Sequence, residues 1–180
     1  VDELYEAFTG DSVLPIADFA ETPNLVVLRS LSKTAGIAGL RLGIAVGYAA
    51  VVDRISRVTG PYDINSFAVV AGRAALEDQD YVNSYVQEVL AAKSWLVEKL
   101  KKAGVKHHSD GGNYLLIWPS SDTSACELAL RNKGILVRSM IGKALINGSL
   151  RVSIGTKGQM KEFWKAFKQS GLNNRIQQAE

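Results

Sequence analysis

Two short apolar runs, Leu25-Val26-Val27-Leu28 and Leu42 to Val46, stand on either side of a loop rich in serine, glycine and alanine. Unbroken runs of β-branched residues and leucine read as strands buried on both faces. Gly43 and Gly47 limit the length of the second. A strand, a loop and a strand in that order place the loop at the rim of a sheet, which is where open α/β sheets bind ligands. The loop holds a single lysine, Lys33, so the feature that fixes the fold class also singles out a residue.

The loop reads Ser30-Leu31-Ser32-Lys33-Thr34-Ala35-Gly36-Ile37-Ala38-Gly39-Leu40-Arg41-Leu42-Gly43. A lysine held out of water against an aldehyde becomes a nucleophile, and Schiff-base formation with pyridoxal phosphate is the main use of that arrangement. Two serine hydroxyls and the Arg41 guanidinium supply donors for a phosphate dianion. Small neighbours allow a ligand to approach the backbone. A surface lysine in a Gly/Ala-rich turn is the plain alternative, and a second motif argues against it. The chain opens Val1-Asp2-Glu3-Leu4-Tyr5, and Asp2 lies about 28 residues before Ser30, a separation long enough for one helix and one strand of an α/β unit.

Together these motifs resemble fold-type I pyridoxal-phosphate aminotransferases. Ser30, Lys33 and Arg41 match that family's lysine signature, and Asp2 and Tyr5 match its Asp-Glu-Ala-Tyr segment with Leu4 in place of the alanine. The resemblance implies that Lys33 is the catalytic lysine and binds pyridoxal 5'-phosphate. It also implies that Ser30, Ser32 and Arg41 hold the phosphate, that Asp2 pairs with the ring nitrogen, and that Tyr5 bonds the ring oxygen. A carboxylate beside that nitrogen keeps it protonated, so the ring can accept electrons.

Further along, Leu150-Arg151-Val152-Ser153-Ile154-Gly155-Thr156 is similar to the family's C-terminal Leu-Arg-Ile-Thr-Val-Gly-Thr segment, whose arginine grips an anionic group of the substrate. Arg138 lies 13 residues earlier. Histidinol-phosphate aminotransferases carry an arginine pair at that interval, so the resemblance implies substrate binding by Arg138 and Arg151. A guanidinium presents a planar fork to phosphate or carboxylate that lysine lacks. Two solvent-facing arginines on an edge strand are the plain reading of either residue alone.

The resemblance covers nearly the whole chain. It implies an α/β architecture: residues 1–78 as the C-terminal part of a cofactor-binding large domain with a mainly parallel sheet, 79–104 as a long interdomain helix, and 105–180 as a small α+β domain. The activity it implies is transamination of histidinol phosphate with 2-oxoglutarate in histidine synthesis, with a small-molecule amine donor and a 2-oxo acid as partners. A decarboxylase of the same fold acting on threonine phosphate, or a non-catalytic piece with an incomplete site, are the alternatives. The family's front half, including a tyrosine reaching in from the second subunit of a homodimer, has no counterpart here. The chain is therefore expected to be part of a longer protein.

The remaining elements follow from periodicity. Helices are expected over Val13 to Ala20, over Ala49 to Val58 with Gly60-Pro61 as the stop, from a cap at Asp63 or Asn65 to Leu76, and from Asp80 to Ala103 ending at Gly104. The last, about 24 residues, would span roughly 36 Å. Strands are expected over Asn113 to Trp118, Ile135 to Met140 and Leu150 to Ile154, with Asn147-Gly148 as a turn and a helix from Thr123 to Lys133 closed by Gly134. Thr156 and Gln159 form a capping box ahead of Met160, Phe163, Trp164 and Phe167, a core stripe stopped by Gly171.

Other classes are excluded or weak. A net charge of +3 is scattered, and Lys99, Lys101 and Lys102 fall at a helix end, which favours a solvated terminus over a nucleic-acid surface. The longest uncharged apolar stretch, Leu42 to Val52, is about half of what a membrane helix needs. One cysteine, Cys126, cannot form an internal disulfide and is expected buried on a helix; with no signal segment it suggests a cytoplasmic setting. His107 and His108 are adjacent, so a strand would send them to opposite faces, and no cluster of metal ligands accompanies them. Gly36, Gly39 and Gly43 do not make a dinucleotide fingerprint.

Overall fold

A computed structural model of the chain describes residues 1–60 and 62–172. Two compact units divide at Val86 and Gln87. In the first, the chain start forms a parallel bridge, Asp2 with Leu28, and turns into a short helix α1 (Glu6–Thr9). Strand β1 (Val26–Ser30) then pairs antiparallel with β2 (Gly43–Gly47), in a register running from Val26 opposite Gly47 to Ser30 opposite Gly43. β1 thus has a parallel neighbour on one side and an antiparallel one on the other. Val27 is fully buried, whereas Leu28 is 44% exposed, so the apolar run covers a core on one face only.

The loop between β1 and β2 folds as two single 3-10 turns, Leu31–Lys33 and Ala38–Leu40. Gly36 between them has φ +71°, a conformation that glycine adopts without penalty. α2 (Ala49–Val58) has the bounds its periodicity predicts. Pro61, expected to help stop it, lies outside the described residues. α3 (Ser66–Glu77) begins at Asn65, whose side chain accepts from the Ala68 amide at 2.9 Å.

One helix is absent. Val13 to Ala20 contains only a single turn, Leu14–Ile16, and Ala17 is already extended. The Asp18 carboxylate accepts from the Ala20 and Glu21 amides, a local bond that competes with helix continuation.

α4 (Gln79–Lys102) is a continuous 24-residue helix, and Gly104 just past its end has φ +64°. The second unit continues with β3 (His107–His108), β4 (Tyr114–Ile117), α5 (Thr123–Arg131), β5 (Arg138–Ser139), β6 (Leu150–Ser153) and α6 (Lys157–Ser170). Its sheet has the order β3-β4-β6-β5, antiparallel throughout. Leu115, Ile117, Leu150 and Val152 occupy one face and are buried. Against them stand Leu130, Cys126 and the α6 stripe of Met160, Phe163, Trp164 and Phe167, with the Phe163 and Phe167 rings 5.5 Å apart.

The capping box at Thr156 and Gln159 forms in both directions. Gly171 stops α6 for a reason other than a left-handed backbone: its φ is −104°, and a Cβ there would meet the Phe167 ring at 2.3 Å. The strand expected over Ile135 to Met140 shrinks to Arg138–Ser139. Leu136 is 77% exposed, so that apolar run is not a buried strand.

Candidate functional site

The lysine loop is shaped by its serines. Ser30 is extended and caps the 3-10 turn, accepting from the Ser32 amide at 3.1 Å. Its hydroxyl oxygen also lies 2.8 Å from Ser32 Oγ and 3.0 Å from the Leu42 carbonyl oxygen, which ties the two ends of the loop together. Lys33 closes that turn, half-buried, and Thr34 behind it is buried. Arg41 sits in the left-handed region at φ 59°, with Nη1 donating to the Ala38 carbonyl at 3.3 Å. That conformation costs a non-glycine residue on the order of 1 kcal/mol, and such residues cluster at ligand clamps.

Ser30, Ser32, Lys33 and Arg41 line one cavity of about 450 Å³, together with Leu4 and Leu28. Two hydroxyls, an ammonium and a guanidinium in one concavity make a donor set suited to a phosphate beside a carbonyl. Gly36 and Gly39 have open space where a Cβ would stand, so neither forms a close cradle among the described residues.

Tyr5 and Asp2 are not in that wall, but both lie beside it. The Lys33 ammonium stands over the Tyr5 ring, 5.8 Å from its centroid. Asp2 bridges to Leu28, a wall residue, and its Oδ1 accepts from the Leu4 amide at 3.0 Å, which turns the chain toward Tyr5.

Pattern reading missed the residues between. Glu3 is buried, with its side chain 4% exposed, and Arg29 donates to its Oε2 through Nε at 3.0 Å and Nη2 at 2.8 Å. The Val13 amide and the Ser12 hydroxyl also donate to Glu3, at 2.7 and 3.0 Å, and Arg29 Nη1 reaches Glu6 at 3.2 Å. Burial raises the Glu3 carboxyl's pKa, yet the bonds from Val13, Arg29 and Ser12 together outweigh it and hold the group below its ordinary 4.5. The available signal was an arginine directly after the apolar run of β1.

In the second unit, Arg138 and Arg151 face each other across the β5–β6 rung. Leu116 pairs with Arg151 and His108 with Leu116, so a single row, His108-Leu116-Arg151-Arg138, crosses the face opposite the core. Like charges directly opposite on a sheet repel, and an anion held between them relieves that repulsion. Arg151 is oriented by stacking, its guanidinium carbon 4.3 Å from the Tyr114 ring centroid.

A cavity of about 740 Å³ opens over this face, with Lys106, Tyr114, Trp118 and Arg151 in its wall. His107 and His108 also border it, and the register sets them on opposite faces as expected, His107 in the row of Ile117 and His108 in the row of Leu116. No group of His, Cys, Asp and Glu able to hold a metal occurs among the described residues, nor does a helix long and apolar enough to cross a membrane.

Comparison with known proteins gives a consistent result. The sequence pattern described as "Aminotransferase class I and II" matches residues 1–167. Histidinol-phosphate aminotransferase of Geotalea uraniireducens is 34% identical over 172 residues, which are 95% of this chain and 49% of that protein. The chain spans about half the length of the curated relatives it matches.

Among solved structures, histidinol-phosphate aminotransferase from Sinorhizobium meliloti in complex with pyridoxal-5'-phosphate superposes with a TM-score of 0.81 at 24% identity, covering 93% of this chain and 47% of that one. L-threonine-O-3-phosphate decarboxylase from Porphyromonas gingivalis gives a TM-score of 0.73 at 23% identity, covering 93% and 53%. At those identities the likeness shows the fold, and the expected fold-type I architecture holds.

Proposed function

Since the chain belongs to the aminotransferase class I and II family, we propose that it carries the lysine-bearing part of a pyridoxal-phosphate-dependent aminotransferase acting on histidinol phosphate and 2-oxoglutarate. The observation that carries this reading is the convergence of Ser30, Ser32, Lys33 and Arg41 on one cavity with Tyr5 at its side. When bound, pyridoxal phosphate supplies an electron sink for charge developing at the substrate's amine-bearing carbon.

The chain's own groups do the rest. Ser30, Ser32 and Arg41 bind the phosphate, and the guanidinium offers two parallel donors to it. Lys33 would hold the cofactor through Nζ, and its free amine would be the base that takes a proton from the amine-bearing carbon onto Nζ, a task for which its flexible stem gives the reach. Asp2 would keep the ring nitrogen protonated, and Tyr5 would donate to the ring oxygen. Arg138 and Arg151 hold the anionic end of the amine or of the 2-oxo acid, and the repulsion along their rung favours a phosphate there.

Two measurements test this. Adding pyridoxal phosphate to the chain is expected to produce a visible absorbance band that Lys33→Ala loses. No band in the wild-type chain contradicts the reading. Supplying histidinol phosphate with 2-oxoglutarate is expected to yield glutamate, whereas carbon dioxide from threonine phosphate would favour the decarboxylase.

A further inference from the structure

Glu3 lies between the two residues expected at the cofactor ring, and Arg29 lies immediately before the lysine loop. Neither takes part in the chemistry proposed above, yet among the ion pairs of the described residues theirs has the least exposed carboxylate, Glu3 at 4% beside a half-buried Arg29. Every acceptor position that Glu3 uses is filled from a different segment. Val13 and Ser12 donate from beyond α1, and Arg29 donates twice from β1. The same Arg29 Nη2 donates to Ser12 Oγ at 2.8 Å, so the three groups close a ring of bonds.

An ion pair with one buried partner contributes little net stability, because taking the carboxylate out of water offsets the attraction; the better-attested use of such a pair is to fix a register. The register available here is that of the chain start against β1. Beside this pair, Val1 and Glu3 are held to β1 by backbone bonds with Val26 and Leu28. α1, four residues long, cannot hold its own shape.

We propose that Glu3 and Arg29 form a clamp that fixes the turn from Asp2 to Tyr5 against Lys33. They are positioning residues. Glu3 fixes Asp2 on one side of it and Tyr5 two residues on, while the planar fork of Arg29 sets the direction of approach, which a lysine at that position would not do. The use made of this geometry rests on the cofactor reading, but the geometry does not require a cofactor. The test therefore has one arm without it.

Lysines carrying 13C-dimethyl groups report ring currents, and Lys33 Nζ lies 5.8 Å from the Tyr5 centroid. The Lys33 signal, assigned by its loss in Lys33→Arg, is expected to stand apart from those of solvated lysines and to rejoin them in Tyr5→Leu. Arg29→Met is expected to remove at least half of that displacement. Arg57→Met, which breaks the exposed pair with Asp53 instead, is expected to leave it unchanged. A folded Arg29→Met chain whose Lys33 signal keeps its wild-type position overturns the clamp, as does a wild-type signal indistinguishable from that of Tyr5→Leu.

Should Arg29→Met fail to fold, Arg29→Lys keeps the charge and loses the fork. Partial displacement supports the clamp and an unmoved signal overturns it. In the second arm, borohydride trapping of pyridoxal phosphate on Lys33 is expected to slow by about tenfold to a hundredfold in Arg29→Met, the range that a misplacement of about 1 Å produces. No trapping in the wild type, with the spectral displacement still dependent on Arg29, sinks the cofactor reading and leaves the clamp standing. Trapping at the wild-type rate in Arg29→Met, with the displacement lost, overturns the clamp's role in the site.

Discussion

The two units are built on different terms. Among the described residues the second buries nineteen apolar side chains and the first only five: Phe8, Val27, Ala68, Val82 and Val86. The first instead exposes large apolar groups on α3, with Phe67 at 80%, Val70 at 71% and Leu76 at 54%. It also carries the lysine loop, the strained Arg41 and the buried Glu3 with its arginine. A unit with a thick core can hold an arginine pair on a sheet backed by that core. One with a thin core must hold its site by hydrogen bonds and an ion pair, so its order is expected to be more sensitive to charge than to volume.

The largest effect expected from this contrast is in the second unit. Phe167→Ala removes a fully buried ring and should cost ~3–5 kcal/mol, read by chemical denaturation. Cys126 reports the same event. Burial pushes its thiol up to about 11, against the smaller opposing effect of bonds from Ser121 and Ser170, so iodoacetamide at pH 8 should label the folded wild type slowly and the Phe167→Ala chain much faster. Equal labelling would mean that the Phe167 ring does not shield Cys126.

Next come the helix caps, one in each unit. Thr156→Ala and Asn65→Ala each delete a side chain that accepts from a first-turn amide, and each should cost ~1 kcal/mol. If the first unit is the weaker of the two, hydrogen exchange near Asn65→Ala should spread through α3, whereas near Thr156→Ala it should stay within the first turn of α6. Phe67→Ser, on the exposed face, should change stability by less than ~0.5 kcal/mol, and a larger loss would show that this face is packed in solution.

The smallest effect is a slope. Because Glu3 has a folded pKa below its ordinary 4.5, its contribution is present in full above that value and is lost as pH falls through the lowered folded value. Stability of the first unit should therefore fall on acidification below about pH 4.5 in the wild type and fall less in Glu3→Gln, measured as the denaturation midpoint against pH.

Much of this organisation is legible in the sequence, because it is local. The bounds of α2, the Asn65 cap, the capping box before α6 and the Lys33 loop each depend on residues within a turn or two of one another. What sequence reading lost was decided once by a local competitor and once by pairing at a distance. The helix expected after Val13 gave way to Asp18, whose carboxylate bonds its own following amides. The strand expected at Ile135 shortened because only two of its residues find partners on β6.

For the candidate site, Lys33, Ser30 and Arg41, singled out by their spacing, line one cavity because they share one loop. The row that sets Arg138 beside Arg151 is a matter of sheet register, which a 13-residue interval does not encode. Glu3 and Arg29 meet across 26 residues, and nothing near either one names the other.

The central claim is that Lys33, among all the lysines of this chain, is the one that condenses with pyridoxal phosphate. Borohydride reduction of the chain after incubation with the cofactor, followed by peptide mass mapping, tests it directly. The account predicts a phosphopyridoxyl group on the peptide carrying Lys33, absent from Lys33→Ala. Label spread evenly over the exposed lysines, and unchanged in Lys33→Ala, would contradict it.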